Sequence, residues 1–307
     1  MTPLRLRMYL RLRILLLTWN CDPSTMKLAT LKDGTRDGQL IVVSRDLHTA
    51  VIADAIAPTM QRVIEDWPFY APQLQAVYES LNGGRVRRAF GFEAKDCMAP
   101  LPRAYRLALH VDGQQDCRTV LSDTLLPGQN DVVVPGAEVK LDFFSGLGLL
   151  LSDVKAGVAA SRAADSIRLL MLGAALCTQG DARQSDVGSD REDARWCAFS
   201  PVAATPDEFG QQWREAHLNG TLTVQVNGRR ASDASVQALR DVDMGLLIAS
   251  LARQRDVAAG TLLMSTPASH AQPDALVFGD RIRVDISDTQ GDSICGAIEL
   301  SIAPVDE

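Results

Sequence analysis

Apolar residues recur along most of the chain in short alternating or continuous blocks, and their spacing predicts a small mixed unit followed by a longer β-rich one. Leu28–Leu31 and Gln39–Val43 flank Asp33-Gly34 and read as two strands around a turn. Two helices follow. Pro58–Asp66 places its proline in the first turn and Met60, Val63 and Ile64 on one face. Pro72–Leu81 stops at Asn82-Gly83-Gly84. After Ala99-Pro-Leu-Pro102 the pattern turns to strands: Asp131–Val134, Leu147–Leu151, Ser166–Leu172, Leu222–Val226, Thr261–Leu263, Arg281–Ile286 and Ala297–Ile302. Asn227-Gly228 tolerates positive φ at both positions and predicts a tight hairpin. Helices are expected at Val154–Ala164 and at Asp241–Arg253, where Met244, Leu247, Ile248 and Leu251 share a face. Many short strands with few helices predict an α+β, β-rich fold of barrel or roll type. The expected division is an extension over 1–25, a small α/β unit over 26–98 and a β-rich domain over 99–307. The polar stretch Gln179–Glu192 reads as a surface loop.

Composition narrows the function classes. The chain has 307 residues, 46% of them hydrophobic, enough for a sizeable core. With 38 acidic against 31 basic side chains it offers no domain-wide basic surface for nucleic acid. Four of the arginines fall in the first 13 positions, so removing residues 1–25 takes the formal charge from −7 to −10. The apolar run behind those arginines, Ile14-Leu-Leu-Leu17, is too short for a secretory signal and far too short to span a membrane. Met26-Lys-Leu-Ala-Thr-Leu-Lys-Asp-Gly34 reads like a natural start, and 1–25 as a disordered or loosely attached extension, a targeting peptide being the sharper alternative. The six cysteines form no CxxC pair, so a zinc ribbon or thioredoxin-type motif is not expected. Reduced thiols in a cytoplasmic protein are.

Three stretches carry a resemblance: Asp131-Val-Val-Val-Pro135, Ile167-Arg-Leu-Leu-Met171 and Ala198-Phe-Ser-Pro-Val-Ala-Ala-Thr-Pro-Asp-Glu208. Together they resemble the bacterial two-domain branch of the fumarylacetoacetate hydrolase family. The resemblance implies a mixed β-sandwich roll preceded by a small α/β domain, and a homodimer formed through the β-rich domain. It also implies cleavage of carbon–carbon bonds in diketo acids. There a divalent Mg²⁺ or Ca²⁺, held by carboxylates, acts as Lewis acid on the departing enolate, while a His or Glu activates water and a Lys stabilises negative charge.

Between those stretches lies Asp142-Phe143-Phe144-Ser145-Gly146-Leu147-Gly148, where the family keeps an Asp-Phe-Glu-x-Glu strand. Residues two apart on a strand share a face, so both family glutamates reach one ion. Phe144 and Gly146 stand in their places. The ungapped count assigns the third carboxylate to Ala175, and counting back from Ala198 assigns the lysine to Ala194; the resemblance places the fourth carboxylate, by a looser match after Ala104-Tyr105, near Leu109. Of the turn that binds a substrate carboxylate, only Ser265 remains. His110 and Asp112 are candidate relics or substitutes that would share a strand face. The expected remnant pocket is therefore Tyr105, Leu109, Phe144, Gly146, Ala175, Ala194 and Ser265. No metal is expected there and no other cofactor. The expectation is a pseudoenzyme acting by ligand binding or assembly, as a homodimer or as a heteromer with a related protein. Its ligand would be small and apolar or a keto acid. The alternative is a divergent hydrolase, isomerase or decarboxylase of keto or diketo acids. Cys177 and Cys197 flank the same frame and read as packing thiols, a reactive pair being the alternative.

Overall fold

The computed structural model describes residues 25–111, 117–134, 136, 139–178, 196–230, 242–266 and 275–304. All but residue 25 of the expected extension over 1–25, and the whole of the expected loop Gln179–Glu192, lie outside them. In chain order the first strands are β1 (Lys27–Leu31), β2 (Gln39–Val43) and β3 (Thr49–Ile52). Helices α1 (Met60–Glu65) and α2 (Trp67–Asn82) follow, then β4 (Phe90–Gly91), β5 (Arg106–Val111), β6 (Arg118–Val120) and β7 (Gln129–Val134). The long strands β8 (Leu141–Leu151) and β9 (Ile167–Thr178) bracket the short α3 (Ala160–Ala163). After them come β10 (Trp196–Phe199), β11 (Val202–Ala204), β12 (Trp213–Arg214), β13 (His217–Leu218), β14 (Thr221–Val226) and β15 (Arg229–Arg230). Helix α4 (Met244–Leu251), β16 (Thr261–Thr266), β17 (Arg281–Ser287) and β18 (Ile298–Pro304) complete the chain. The fold is α+β and strand-rich, as the hydrophobic pattern predicts.

The large sheet runs β4-β3-β2-β1-β11-β9-β8-β16-β5-β6, with β10 also on β9. Helices α1 and α2 cover one face of it, packing Met60, Ile64, Trp67 and Leu74 in one core with Leu107, Leu150, Met171 and Met264. The second sheet, β15-β14-β17-β18-β7, covers the other face with Val224, Val284 and Leu300 against Leu147, Leu149 and Leu172. This three-layer arrangement explains Leu147–Leu151. A strand buried on both faces has no polar side to show, so it reads as a continuous apolar run. The sheet is continuous across the small and large units, because β1 pairs antiparallel with β11, Leu28 opposite Ala203.

Several boundaries differ from expectation for local reasons. The second helix begins five residues earlier, at Trp67, because its prolines sit at tolerated places, Pro68 in the first turn and Pro72 one turn on. The helix expected over Val154–Ala164 shrinks to Ala160–Ala163. Val154 is taken by a bridge to Val257, and Gly157 adopts φ +72°, both incompatible with a helical start there. The Asn227-Gly228 hairpin is present, with φ +53° and +74° joining β14 to β15. Helix α4 starts where Asp243 caps it, its carboxylate accepting from Leu246 N at 3.1 Å.

Candidate functional site

The positions assigned to metal ligands gather at one end of the large sheet. Strands β8 and β9 pair with Phe144 opposite Ala175 and Gly146 opposite Gly173. Strand alternation and the core packing put Phe144, Gly146 and Ala175 on the helix-covered face. Leu109 of β5 joins them there, beside Met264 of β16. Four of the seven expected pocket residues therefore share one surface.

That surface is closed by packing. A Cβ on Gly146 would lie 2.0 Å from the carbonyl oxygen of Ser265, a backbone atom that cannot swing aside. One on Gly173 would meet Met264 Sδ at 2.8 Å, and one on Gly148 would meet Phe199 Cε1 at 3.0 Å. The glycines let β16 and two large side chains settle directly on the β8–β9 pair. Cys197, opposite Ala175, is buried, and desolvation, with Cys177 nearby, pushes its thiol up to about 12. Cys177 is buried as well.

Ser265 and Tyr105 do not join this group. Ser265 is fully buried, but alternation with Met264 turns it to the opposite face, between the two sheets. His110 lies there too, its Nδ1 3.2 Å from Ser265 Oγ, while Thr266 Oγ1 donates to the His110 carbonyl at 3.2 Å. Ser145 is buried on that same face. Tyr105 precedes β5 at its far end, is 64% exposed and donates to Glu65 Oε1 at 2.9 Å. A residue before a strand shares neither its end nor its alternation. Ala194 and Asp112 lie outside the described residues.

The sequence profile of the fumarylacetoacetate (FAA) hydrolase C-terminal domain matches residues 109–299, and that of fumarylacetoacetase N-terminal domain 2 matches 26–103. The chain belongs to the fumarylacetoacetate hydrolase family. Among solved structures it is similar to maleylpyruvate hydrolase from Sphingobium sp. SYK-6, at 18% identity and a TM-score of 0.68 over 91% of this chain and 100% of that one. The same enzyme has been solved with manganese(II) and pyruvate, and matches at 18% identity and 0.68 over 92% and 100%. A probable 2-hydroxyhepta-2,4-diene-1,7-dioate isomerase from Mycobacterium abscessus matches at 12% identity and 0.68 over 92% and 100%. At these identities the likeness is one of fold. No curated protein sequence matches the chain.

The family's hard cation does not fit the residues expected at its place. Mg²⁺ and Ca²⁺ require several oxygen ligands. The side chains of Phe144, Gly146, Ala175 and Leu109 supply none. Among the described residues no group of three or more His, Cys, Asp or Glu is arranged to hold an ion.

Sequence reasoning missed a polar junction elsewhere. Glu208, its side chain only 3% exposed, accepts a 2.7 Å hydrogen bond from Tyr78 Oη and a 3.3 Å one from Arg45 Nη2. Burial and the Glu208 charge push the Tyr78 phenol well above its ordinary range. Tyr78 and Arg45 come from the small unit and Glu208 from the large one, so the contact ties the two together. Glu208 was visible only as the end of a family stretch, and nothing local marks it as buried.

Proposed function

We propose that this member of the fumarylacetoacetate hydrolase family has given up metal-assisted carbon–carbon bond cleavage and acts by binding or assembly, as a cytoplasmic homodimer or with a related chain. One observation carries the reading: at Gly146 even a methyl group would collide with the Ser265 carbonyl at 2.0 Å. This crowding supports the reading that the second family glutamate is sterically disfavoured there as well as replaced. No helix among the described residues is long and apolar enough to cross a membrane. The test is a titration with Mg²⁺ and Mn²⁺ followed by an assay on acylpyruvates and maleylpyruvate. The expected result is no stoichiometric metal site and no turnover above background. Metal-dependent turnover near about one per second, an ordinary rate for an enzyme, overturns the reading.

The second reading is a hydrolase, isomerase or decarboxylase of keto acids with a rebuilt site. It draws support from the buried His110–Ser265 pair, a hydroxyl within reach of an imidazole. Activity toward keto acids without added metal, lost in His110→Ala with the fold retained, favours it over the first.

A further inference from the structure

The small and large units meet in a cleft of about 560 Å³ that the family frame does not assign. Lys27 opens into it from β1. Its backbone is fixed on both sides, opposite Val43 of β2 and Ala204 of β11, so the side chain emerges from a rigid site. The residue is only 3% exposed, yet among the described residues its ammonium group makes one hydrogen bond, Nζ to the Arg45 carbonyl at 2.7 Å. No described carboxylate forms an ion pair with it. Burial makes the charged form of this amine costlier than it is in water, and one carbonyl offsets only part of that cost. Desolvation accordingly lowers the Lys27 pKa against the pull of Glu208 and Asp288. Lys155, fully exposed and paired with Asp256 at 2.7 Å, is shifted the other way.

We propose that Lys27 is an imine-forming lysine that captures a small uncharged or cationic aldehyde or ketone in this cleft. The neutral Nζ adds to the carbonyl carbon, and the C=O π pair moves to oxygen. The proton released by nitrogen goes to that oxygen and gives a carbinolamine. A carboxyl of the cleft then protonates the hydroxyl. Water leaves as the nitrogen lone pair forms the C=N bond, and no oxidant or reductant is needed. Charge selects the substrate class. Asp46, Asp207, Glu208, Asp288 and Asp292 line the cleft against Lys27 and Arg45. This excess of carboxylates repels a keto acid and accepts a neutral or amino carbonyl compound.

The chain has only five lysines, Lys27, Lys32, Lys95, Lys140 and Lys155, so the test can be read residue by residue. The full-length protein is treated briefly with glycolaldehyde and sodium cyanoborohydride at neutral pH, and reduced adducts are mapped by peptide mass spectrometry. Lys27 is expected to label at least about tenfold faster than Lys155, as a nucleophilic amine with a lowered pKa should. Replacing glycolaldehyde by pyruvate should slow Lys27 labelling. Lys27→Arg should abolish the fast site and leave the other four unchanged. Labelling of Lys27 at or below the Lys155 rate overturns the proposal, and so does faster labelling by pyruvate. The mapping on the unmodified sequence decides the matter even if the variant does not fold. Its outcome is independent of metal-dependent turnover at the family site.

Discussion

Gly146 of β8 and Ser265 of β16 touch backbone to backbone: the Cβ that glycine lacks would sit 2.0 Å from the serine's carbonyl oxygen. This contact holds β16 close beside β8 at the position expected for a family glutamate. Reintroducing a side chain should therefore cost stability before it restores chemistry. Gly146→Ala is expected to lower unfolding free energy by about 2 kcal/mol or more, the usual scale for overpacking a tight core. Phe144→Glu, at a half-buried position on the same face, should be tolerated better. Urea midpoints compare them, and an unchanged midpoint for Gly146→Ala would show that the two strands separate easily.

The Tyr78–Glu208 hydrogen bond should matter to the joint between the units. Tyr78→Phe removes one donor and is expected to cost about 1 kcal/mol. Glu208→Ala leaves the Tyr78 hydroxyl and the Arg45 guanidinium without their acceptor and should cost about 2–3 kcal/mol. Thermal unfolding of both variants checks the order. A larger loss in Tyr78→Phe contradicts the geometry.

Lys27 supplies a pH dependence with a definite sign. Its pKa in the folded chain is lowered from 10.5, so the fold binds that proton less tightly than the unfolded chain does. The contribution to stability is fully present above 10.5, where the lysine is neutral in both states, and is lost as pH falls through the lowered folded value. The stability of the natural chain relative to Lys27→Met should thus rise between neutral pH and about pH 10.5. Paired urea titrations cancel the other titrating groups. A difference that is flat or falls over that window contradicts a desolvated ammonium.

Thiol chemistry should follow burial. Cys97, Cys197 and Cys295 are pushed up to about 12 by desolvation and are closed to solvent. Iodoacetamide at pH 8 should leave all three unmodified in the native protein and label them after unfolding. Native labelling at Cys197 would mean that the surface around Ala175 opens readily.

The architecture was largely legible because its signals are local. The apolar block Leu147–Leu151, the Asn227-Gly228 turn and the α4 periodicity each determine a short piece of backbone. Strand ends were less legible. The first six residues of β8 include Asp142, Ser145 and Gly146, which no strand propensity favours, and pairing with β9 extends the strand through them regardless. At the site, the structure places Leu109, Phe144, Gly146 and Ala175, all read from the family frame, on one face of the large sheet. That frame could not tell that Ser265 turns to the opposite face, since a one-residue offset on a strand reverses the side chain. Lys27 and Glu208 escaped notice because part or all of their burial comes from residues over a hundred positions away, Ala204 beside Lys27 and Tyr78 and Arg45 beside Glu208.

The proposed assembly through the β-rich domain can be tested at the sheet edges. Both sheets end, among the described residues, in strands with one unpaired edge, β6 in the large sheet and β7 in the small one. Each edge carries an exposed apolar side chain, Leu121 just beyond β6 at 59% and Val133 on β7 at 46%. Such edges pair or aggregate unless they are covered. A dimer with a mass about twice 33.3 kDa is expected by light scattering. A chain beginning at Met26 should form it equally well. The first described anchor is at that residue, where Met26 N donates to Thr205 Oγ1 at 2.9 Å and Thr205 N donates back to the Met26 carbonyl at 3.0 Å. Leu121→Glu and Val133→Glu, made separately, should identify the edge that is covered by shifting only one variant to monomer. A natural chain that is monomeric at micromolar concentration would remove assembly and leave the cleft around Lys27 as the surviving functional surface.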